Sequence, residues 1–310
     1  MIGASLKHYD VVGLGQCCVD YLAVVGQYPC IDEKREVNNF TVQGGGPVAT
    51  AMVTLSRLGA ATSFIGKISD DYFGTLIKDS LTGEHVNIDH IVVEKGGSSQ
   101  LAFIIIEKGT GKRTIFWSKP TVAPISPDEI NKELIKNAKV LHLDELMIEG
   151  SLEAARCAKD AGVTVVVDAG SLREGSLELI KMADYFITSE DFAKQYYYHN
   201  YDPKAAAMEL LKLGSKAVVV TLGDKGSITV SKGSCFYQPA FKVKAVDTTG
   251  CGDVFHGAFV FGLLQKWDLK ETIRFASATA ALKCRNIGGR TAIPDLRDVE
   301  EFLENENALN

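Results

Sequence analysis

Short apolar runs alternate with helix-like patterns along most of this chain of 310 residues. The runs at 11–15 and 163–167 predict buried strands, because each is a brief apolar stretch bounded by turn or charged residues. The apolar spacing over 47–58 predicts a helix, with Pro47 near its start and Gly59 after its end. Buried strands that alternate with helices are typical of a parallel sheet covered on both faces, so the predicted fold class is α/β. Further strands are predicted at 63–66, 140–143, 185–188 and 217–221, and further helices at 71–81 and 151–160.

Two regions, residues about 20–43 and about 87–118, break this alternation, because they predict strands with no helix between them. Within the second region, 101–106 and 112–117 predict a hairpin around a Gly-rich turn. We therefore expect a small antiparallel sheet inserted into one large domain that spans residues 1–310. Such a sheet is a lid that excludes water from a site, an edge sheet, or a dimer surface, and the spacing does not separate these roles.

Composition and charge narrow the class of partner. Hydrophobic residues make up 46% of the chain, which is enough to bury a substantial core. The net charge of -6 gives no general attraction to nucleic acid or to anionic membranes, so a small-molecule partner is expected. The seven cysteines have no metal-binding or disulfide spacing, which predicts reduced thiols and a cytoplasmic location. The sequence shows no signal-peptide pattern and no apolar run of about 18 residues, and its polar tail at 300–310 is expected to fray.

The most informative stretch is 247–260, Asp-Thr-Thr-Gly-Cys-Gly-Asp-Val-Phe-His-Gly-Ala-Phe-Val. A strand-like segment at 241–246 precedes it and an apolar helical pattern at 254–264 follows, so the Gly-Cys-Gly at 250–252 lies where a loop enters a helix. Unpaired N–H groups, the helix dipole and small side chains at such a start suit a phosphate or the charge of a transferring phosphoryl group. Asp253 beside this pocket can accept a proton from a hydroxyl that attacks the γ-phosphate of a nucleotide.

A simple helix N-cap is the alternative interpretation of this stretch, because Asp and Gly are common at helix starts. Capping alone does not explain two acids, Asp247 and Asp253, that flank a Gly-x-Gly anion site. The residues therefore favour phosphoryl transfer, with Asp253 as the general base and Asp247 holding the loop or the shell of a cation.

This stretch resembles the signature of the PfkB, or ribokinase-like, family of carbohydrate kinases, which is usually Asp-Thr-x-Gly-Ala-Gly-Asp. Cys251 stands where that family usually has Ala. The Gly-rich segment at 44–50, running into a helix that ends in Leu-Gly-Ala at 58–60, resembles the second family signature, with Thr50 where Asn is usual. The resemblance covers essentially the whole chain and is closest to sulfofructose kinase and ketohexokinase-like members. It implies a three-layer sandwich with a mostly parallel central sheet, a small β-sheet lid, and transfer of the γ-phosphate of ATP to an alcohol group of a sugar or sugar-derived substrate.

The same resemblance assigns roles to individual residues. The base and its anion hole would be Asp253, Gly250, Cys251 and Gly252. The residues that would contact the sugar are Asp20, Gly45, Gly46, Thr50 and Lys34. The residues that would contact the nucleotide are Thr221, Gly223, Gly226, Asn286 and Gly288. Magnesium is expected with the nucleotide, with Glu190 as a supporting carboxylate, and Asp247 is a candidate for a monovalent cation such as K⁺.

Several side chains leave two interpretations open. The charges Lys34, Arg35, Lys112 and Arg113 either meet an anionic substrate or are solvated lid charges. The sulfonate contacts of sulfofructose kinases would fall near Trp117 and Glu145, which do not suit a sulfonate, so we do not infer that specificity. Cys251 is either a thiol with a lowered pKa at a helix start or a small buried residue in place of Ala. His256 lines the site or packs in the core, and packing is expected.

Two other functions compete with carbohydrate phosphorylation. A non-catalytic sugar-binding or regulatory protein that kept the fold is the main alternative, and the retained Asp253 argues against it. The Gly-x-Gly at 13–15 lacks the third glycine of a dinucleotide fingerprint, so a nicotinamide oxidoreductase is disfavoured. The resemblance further implies a homodimer formed through the lid strands.

Overall fold

The computed structural model describes residues 8–308, in which strands and helices alternate along most of the chain. In chain order the strands are β1 (Val11–Leu14), β2 (Cys18–Val25), β3 (Val37–Gly45), β4 (Thr62–Ile65), β5 (Lys67–Ser69), β6 (Val92–Glu94), β7 (Leu101–Glu107), β8 (Arg113–Ser118), β9 (Val140–Asp144), β10 (Thr164–Ala169), β11 (Tyr185–Ser189), β12 (Ala217–Thr221), β13 (Ser227–Ser231) and β14 (Ser234–Gln238). The α-helices are α1 (Pro47–Arg57), α2 (Tyr72–Gly83), α3 (Lys132–Lys136), α4 (Ile148–Asp160), α5 (Ser176–Met182), α6 (Glu190–Tyr196), α7 (Pro203–Leu211), α8 (Cys251–Leu264), α9 (Leu269–Lys283) and α10 (Leu296–Ala308).

The central sheet contains eight strands in the order β14-β13-β12-β11-β10-β9-β1-β4. The six strands from β12 to β4 in this order are parallel, and β13 and β14 continue the sheet as antiparallel neighbours. Parallel strands end at the same edge, so Asp144, Asp168, Ser189 and Thr221 all lie near one carboxyl edge. The predicted α/β class with a mostly parallel sheet is confirmed.

Helices cover both faces of this sheet. Leu141 and Val165 face a core that is closed by α3 to α7, whereas their neighbours Val140 and Val166 face a second core closed by α1, α2, α8, α9 and α10. Because both faces are buried, the strands are apolar at nearly every position and do not alternate with polar residues. This arrangement confirms the expected three-layer sandwich.

A separate four-stranded sheet has the order β3-β2-β7-β8 and includes the predicted hairpin, in which β7 pairs antiparallel with β8. Strand β6, at 92–94, lies outside this sheet and pairs with β5. Because opposed residues in a register share a face, Asp20, Ala102 and Trp117 lie on one face of the small sheet. Tyr21 and Phe103 lie on the opposite face, which is therefore chemically distinct.

Three sequence predictions about local structure are wrong. The small sheet is not purely antiparallel, because β2 pairs in parallel with β7. The segment at 241–246 forms no ladder, because it lies beside the end of α9, where the Val246 N–H donates to the Cys284 carbonyl at 2.8 Å. The tail at 300–308 does not fray but belongs to α10, because Val299 is fully buried and Arg274 donates to Asn307 Oδ1 at 2.6 Å. Residues 309 and 310 lie outside the described range. Within residues 8–308, none of the helices has the length and apolar character that crossing a membrane requires.

Candidate active site

A cavity of about 710 Å³ lies between the carboxyl edge of the central sheet and the small sheet. Asp168, Ser189 and Thr221 line it from the central sheet, and Asp20 and Trp117 line it from the small sheet. The cavity also receives Gly250, Gly252, Asp253 and His256 from the start of α8. Clefts at the carboxyl edge of an open parallel sheet are the usual ligand sites of such folds.

The turn into α8 depends on Gly250, whose φ of 73° lies in the left-handed region. A Cβ at this position would lie 2.9 Å from the Cα atom and the carbonyl oxygen of Gly289. Only glycine therefore fits both the backbone conformation and the packing. The turn directs the start of α8 at the cavity, where unpaired helical N–H groups and the helix dipole favour an anion.

Asp253 lies in the first turn of α8 and faces the same cavity. Burial and the nearby Asp168 carboxylate raise the pKa of Asp253 to about 6. His256, one turn later, brings its Nδ1 atom to 2.5 Å from Asp168 Oδ2. Burial by itself would lower the pKa of His256, but the nearby carboxylates, Asp168 first and then Asp253 and Glu145, together raise it. The expectation that His256 merely packs in the core is wrong, because this side chain lines the cavity beside the candidate base.

Three acidic residues near the cavity were assigned no role on the basis of the sequence. They are Asp144, Glu145 and Asp168. Asp144 accepts from the Gln16 N–H at 2.8 Å, and burial with the neighbouring Glu145 raises its pKa to about 8. Glu145 accepts from the Gly170 N–H at 3.0 Å, and burial with Asp168 raises its pKa to about 7. Each acid is at or next to the end of an apolar strand, which is the signal that could have identified it.

Asp20 is buried on β2, where its Oδ1 accepts from the Cys18 thiol at 3.2 Å. A Cβ on Gly45 would collide with the Asp20 carboxylate, so this glycine creates the space that the acid occupies. Burial raises the pKa of Asp20, partly offset by the Cys18 thiol and the Arg290 guanidinium. Gly46, predicted beside it, also lines the cavity. The structure thus brings these predicted sugar contacts together.

Arg290 is a buried residue that the sequence did not single out. Its guanidinium donates to Thr50 Oγ1 at 3.2 Å, to the Gly45 carbonyl at 2.9 Å and to Ser80 Oγ at 3.0 Å. Thr50, predicted to contact the sugar, is therefore engaged with this arginine and lies outside the set of described residues that line the cavity. Lys34 also lies away from the cavity, in an exposed segment before β3.

The predicted nucleotide residues are divided between two places. Thr221 lines the main cavity, while Gly223 and Gly226 form the tight turn that joins β12 to β13. Asn286 lines a second cavity of about 660 Å³ beside α10. The Gly288 N–H donates to Asp247 Oδ2 at 2.8 Å, so the loop that carries Gly288 meets the residue predicted to lie near a monovalent cation.

Glu190, the predicted metal-supporting carboxylate, forms an ion pair with Lys194 at 3.1 Å. Its neighbours Ser189 and Asp191 line the cavity instead. Over residues 8–308, no group of three or more His, Cys, Asp or Glu side chains is arranged to hold a metal ion.

Cys251 does not have the lowered pKa expected of a thiol at a helix start. Its Sγ atom lies 2.7 Å from Cys284 Sγ. The hydrogen bond to Cys284, together with burial, raises the pKa of Cys251, and the same bond lowers the pKa of Cys284. Of the two interpretations of Cys251, the structure therefore favours a small buried residue in place of Ala, because a neighbouring thiol that is distant in the sequence raises its pKa.

Comparison with known proteins agrees with this geometry. The model of the pfkB family carbohydrate kinases matches residues 9–296. The chain belongs to the pfkB family of carbohydrate kinases. A fructokinase from Solanum tuberosum is 29% identical to this pfkB kinase over 94% of this chain and 95% of the relative.

Solved structures are similar over nearly the whole length. A ribokinase from Thermotoga maritima is 27% identical, with a TM-score of 0.82 over 96% of this pfkB kinase and 99% of that chain. A ribokinase from Arabidopsis thaliana, solved with ribose and ATP, is 25% identical, with a TM-score of 0.83 over 96% of this chain and 99% of that chain. These matches confirm the family resemblance and the fold, and they establish this pfkB kinase as a carbohydrate kinase.

Proposed function

We propose that this carbohydrate kinase transfers the γ-phosphate of ATP to a hydroxyl group of a sugar or sugar-derived substrate, with Asp253 as the general base. The observation that carries the proposal is one cavity in which Asp253, the glycines of the α8 turn and the buried Asp20 all meet. The fructokinase and ribokinase relatives, one of them solved with ribose and ATP, support a sugar acceptor and ATP as the donor.

In this mechanism Asp20 and the backbone of Gly46 hold the sugar, because a carboxylate accepts hydrogen bonds from hydroxyl groups. Asp253 accepts the proton of the attacking hydroxyl as its oxygen bonds to the γ-phosphorus and the bond to ADP breaks. The N–H groups at Gly250 and Gly252 stabilise the negative charge on the transferring phosphoryl group. The products are a sugar phosphate and ADP, with the proton on Asp253.

The nucleotide would extend from the α8 turn toward Thr221, with Gly223 and Gly226 in the adjacent turn and the loop that carries Asn286 and Gly288 at the far side. Mg²⁺ would enter with the triphosphate, whose negative charge it neutralises, since Mg²⁺ commonly uses few protein ligands and retains water. Asp191 is the better-placed carboxylate to support it, because Glu190 is paired with Lys194.

The chain would form one domain, in which the small sheet acts as a lid over the cavity. Its inner face brings Ala102, Ile115 and Trp117 to the cavity, and these apolar groups exclude water from phosphoryl transfer. Arg113 at the start of β8 donates to Thr248 Oγ1 at 2.9 Å, so the lid contacts the loop that leads to the anion hole. Of the two interpretations of Arg113, this contact and its place in the cavity favour a role toward an anionic group.

The outer face of the lid would form a homodimer with a second copy of this chain. Phe40, Phe103 and Phe116 lie on that face and are 55%, 52% and 53% exposed, an apolar surface unusual for a monomer. We expect light scattering to give the mass of two chains, and Phe103→Asp to reduce it to one. The control Tyr198→Asp, at an exposed aromatic elsewhere, leaves the mass unchanged. A wild-type mass of one chain would contradict the dimer.

The activity should rise with pH around the pKa of Asp253. A base works only when ionised, and the pKa of Asp253 is raised to about 6, so kcat/KM should increase through that pH and level off above it. An unperturbed Asp, with a pKa of about 3.9, would give a flat profile over this range. Because the pKa of Glu145 is also raised, to about 7, the profile of Glu145→Gln is the control and should keep the inflection. A wild-type profile that is flat from about pH 5 to 7 would count against Asp253 as the base.

The experiment that tests the function is ADP release with ATP and Mg²⁺ across ketohexoses, aldopentoses, sugar acids, sugar phosphates and nucleosides. One strong substrate supports the kinase reaction and names the substrate class. No ADP release with any compound of the panel, together with no ATP binding by calorimetry, would favour the non-catalytic sugar-binding alternative.

A further inference from the structure

Lys283 is the last residue of α9 and is fully buried, with 0% of its surface exposed. A lysine is almost never fully buried unless its ammonium has partners. Here the Nζ atom donates to the Asp247 carbonyl at 3.1 Å and to the Thr249 carbonyl. Both carbonyls belong to the loop that leads directly into the α8 turn, so the ammonium lies immediately behind the candidate anion hole.

These contacts fix the orientation of the peptide groups in that loop. A trans peptide is planar, and its C=O and N–H point in opposite directions. When the Thr249 carbonyl points to Lys283, the N–H of the next residue, Gly250, must point away from it. Gly250 lines the cavity. An N–H group held in this direction would be available to the transferring phosphoryl group of the proposed reaction.

The side chain of Asp247 adds further oxygen atoms to this loop. Its carboxylate is fully buried, with Oδ1 accepting from the Thr249 N–H at 2.8 Å and Oδ2 accepting from the Gly288 N–H at 2.8 Å. The two carbonyls and this carboxylate make the loop a buried, oxygen-rich region that requires a positive charge. Carbonyl oxygens of this kind bind K⁺ in proteins, and here a covalently attached ammonium occupies that position.

We propose that Lys283 is a positioning residue that supplies, from within the chain, the monovalent positive charge behind the anion hole, so that phosphoryl transfer does not require K⁺. The proposal rests on the proposed kinase function and refines the sequence expectation of a monovalent-cation site at Asp247. It assigns the charge to Lys283 instead of a dissolved ion.

The first test uses the wild-type protein. ADP release is measured in K⁺, Na⁺ and tetramethylammonium chloride at equal ionic strength, with saturating ATP, Mg²⁺ and sugar. The expected rates agree within about twofold, because the internal ammonium is present in every salt. A rate more than about tenfold higher in K⁺ than in tetramethylammonium overturns the proposal.

The second test removes the charge. Lys283→Met should lower kcat by about 100-fold, as expected for a disordered oxyanion site, with little change in the KM for the sugar. Ammonium or K⁺ should raise the kcat of this variant at least about tenfold. Tetramethylammonium should not, because it is too large for the vacated position. The control Lys270→Met removes an exposed lysine from the first turn of the same helix and should behave as wild type.

Lys283→Gln separates the effect of the positive charge from that of the hydrogen bonds, because its neutral amide can still donate to both carbonyls. The proposal expects this variant to lose kcat and to respond to K⁺ as the Met variant does. A Gln variant with wild-type kcat, or a Met variant that no cation rescues, would show that Lys283 only holds the loop and would overturn the proposal. If the Met variant does not fold in any salt, the Gln variant decides.

Thermal unfolding provides a readout that does not require turnover. K⁺ should raise the melting temperature of Lys283→Met but not that of the wild type, because only the variant has a vacant carbonyl site. If no sugar is phosphorylated by the wild type, the proposed function fails, yet this difference in melting temperature still tests the cation replacement. Equal responses of the two proteins to K⁺ would overturn it.

Discussion

Replacing Asp253 by Asn should lower kcat by about 10²- to 10⁴-fold, the range that a general base contributes. The amide has nearly the same shape but cannot accept the hydroxyl proton. Asp253 faces the cavity from the first turn of α8, and its raised pKa of about 6 keeps the carboxylate reactive near neutral pH. The measurement is ADP release at saturating ATP and sugar.

Binding and folding controls separate this loss from simpler explanations. Asp253→Asn should retain ATP and sugar binding by calorimetry, because its isosteric side chain leaves the cavity intact. Asp160→Asn, at the exposed end of α4, is the matched control and should leave kcat unchanged. Full turnover in Asp253→Asn would exclude this residue as the base and direct attention to Asp168 and His256, which line the same cavity.

Gly250→Ala is expected to produce the second largest effect, a fall in kcat of about 10²- to 10³-fold. The new Cβ would lie 2.9 Å from the Gly289 backbone, and the φ of 73° would strain any L side chain. The turn must therefore shift, which would misdirect the N–H groups proposed to face the phosphoryl group. Backbone strain of this kind should also lower the free energy of unfolding by about 1–3 kcal/mol.

Turnover and urea unfolding of Gly250→Ala should be compared with those of Gly83→Ala. Gly83 ends α2, and a Cβ there meets nothing within 4 Å, so this control should keep both kcat and stability. A Gly250→Ala protein that is destabilised but fully active would mean that the α8 turn is structural and that the charge on the phosphoryl group is stabilised elsewhere.

Much of the fold could be predicted because its signals are local. Strands such as β10 and β12 are short apolar runs, and Pro47 and Gly59 mark the limits of the α1 region. The Gly-x-Gly-Asp stretch indicated an anion site and a base because these features also depend on a few neighbouring residues at the start of a helix. The wrong predictions concern segments whose structure depends on distant partners. The tail at 300–308 is helical because α10 packs against the core and Arg274 of α9 contacts it.

The sequence by itself determined the layered α/β fold, the family and the position of Asp253, because each follows from residue patterns within about a dozen positions. Only the tertiary structure decided which groups surround that residue. Asp168 reaches His256 across 88 positions of sequence, and Lys283 reaches the carbonyls of Asp247 and Thr249 from the far end of another helix. A pKa and the direction of a backbone N–H depend on the distances to such groups, and those distances exist only after the sheet edge, the lid and the helices α8 and α9 have packed together.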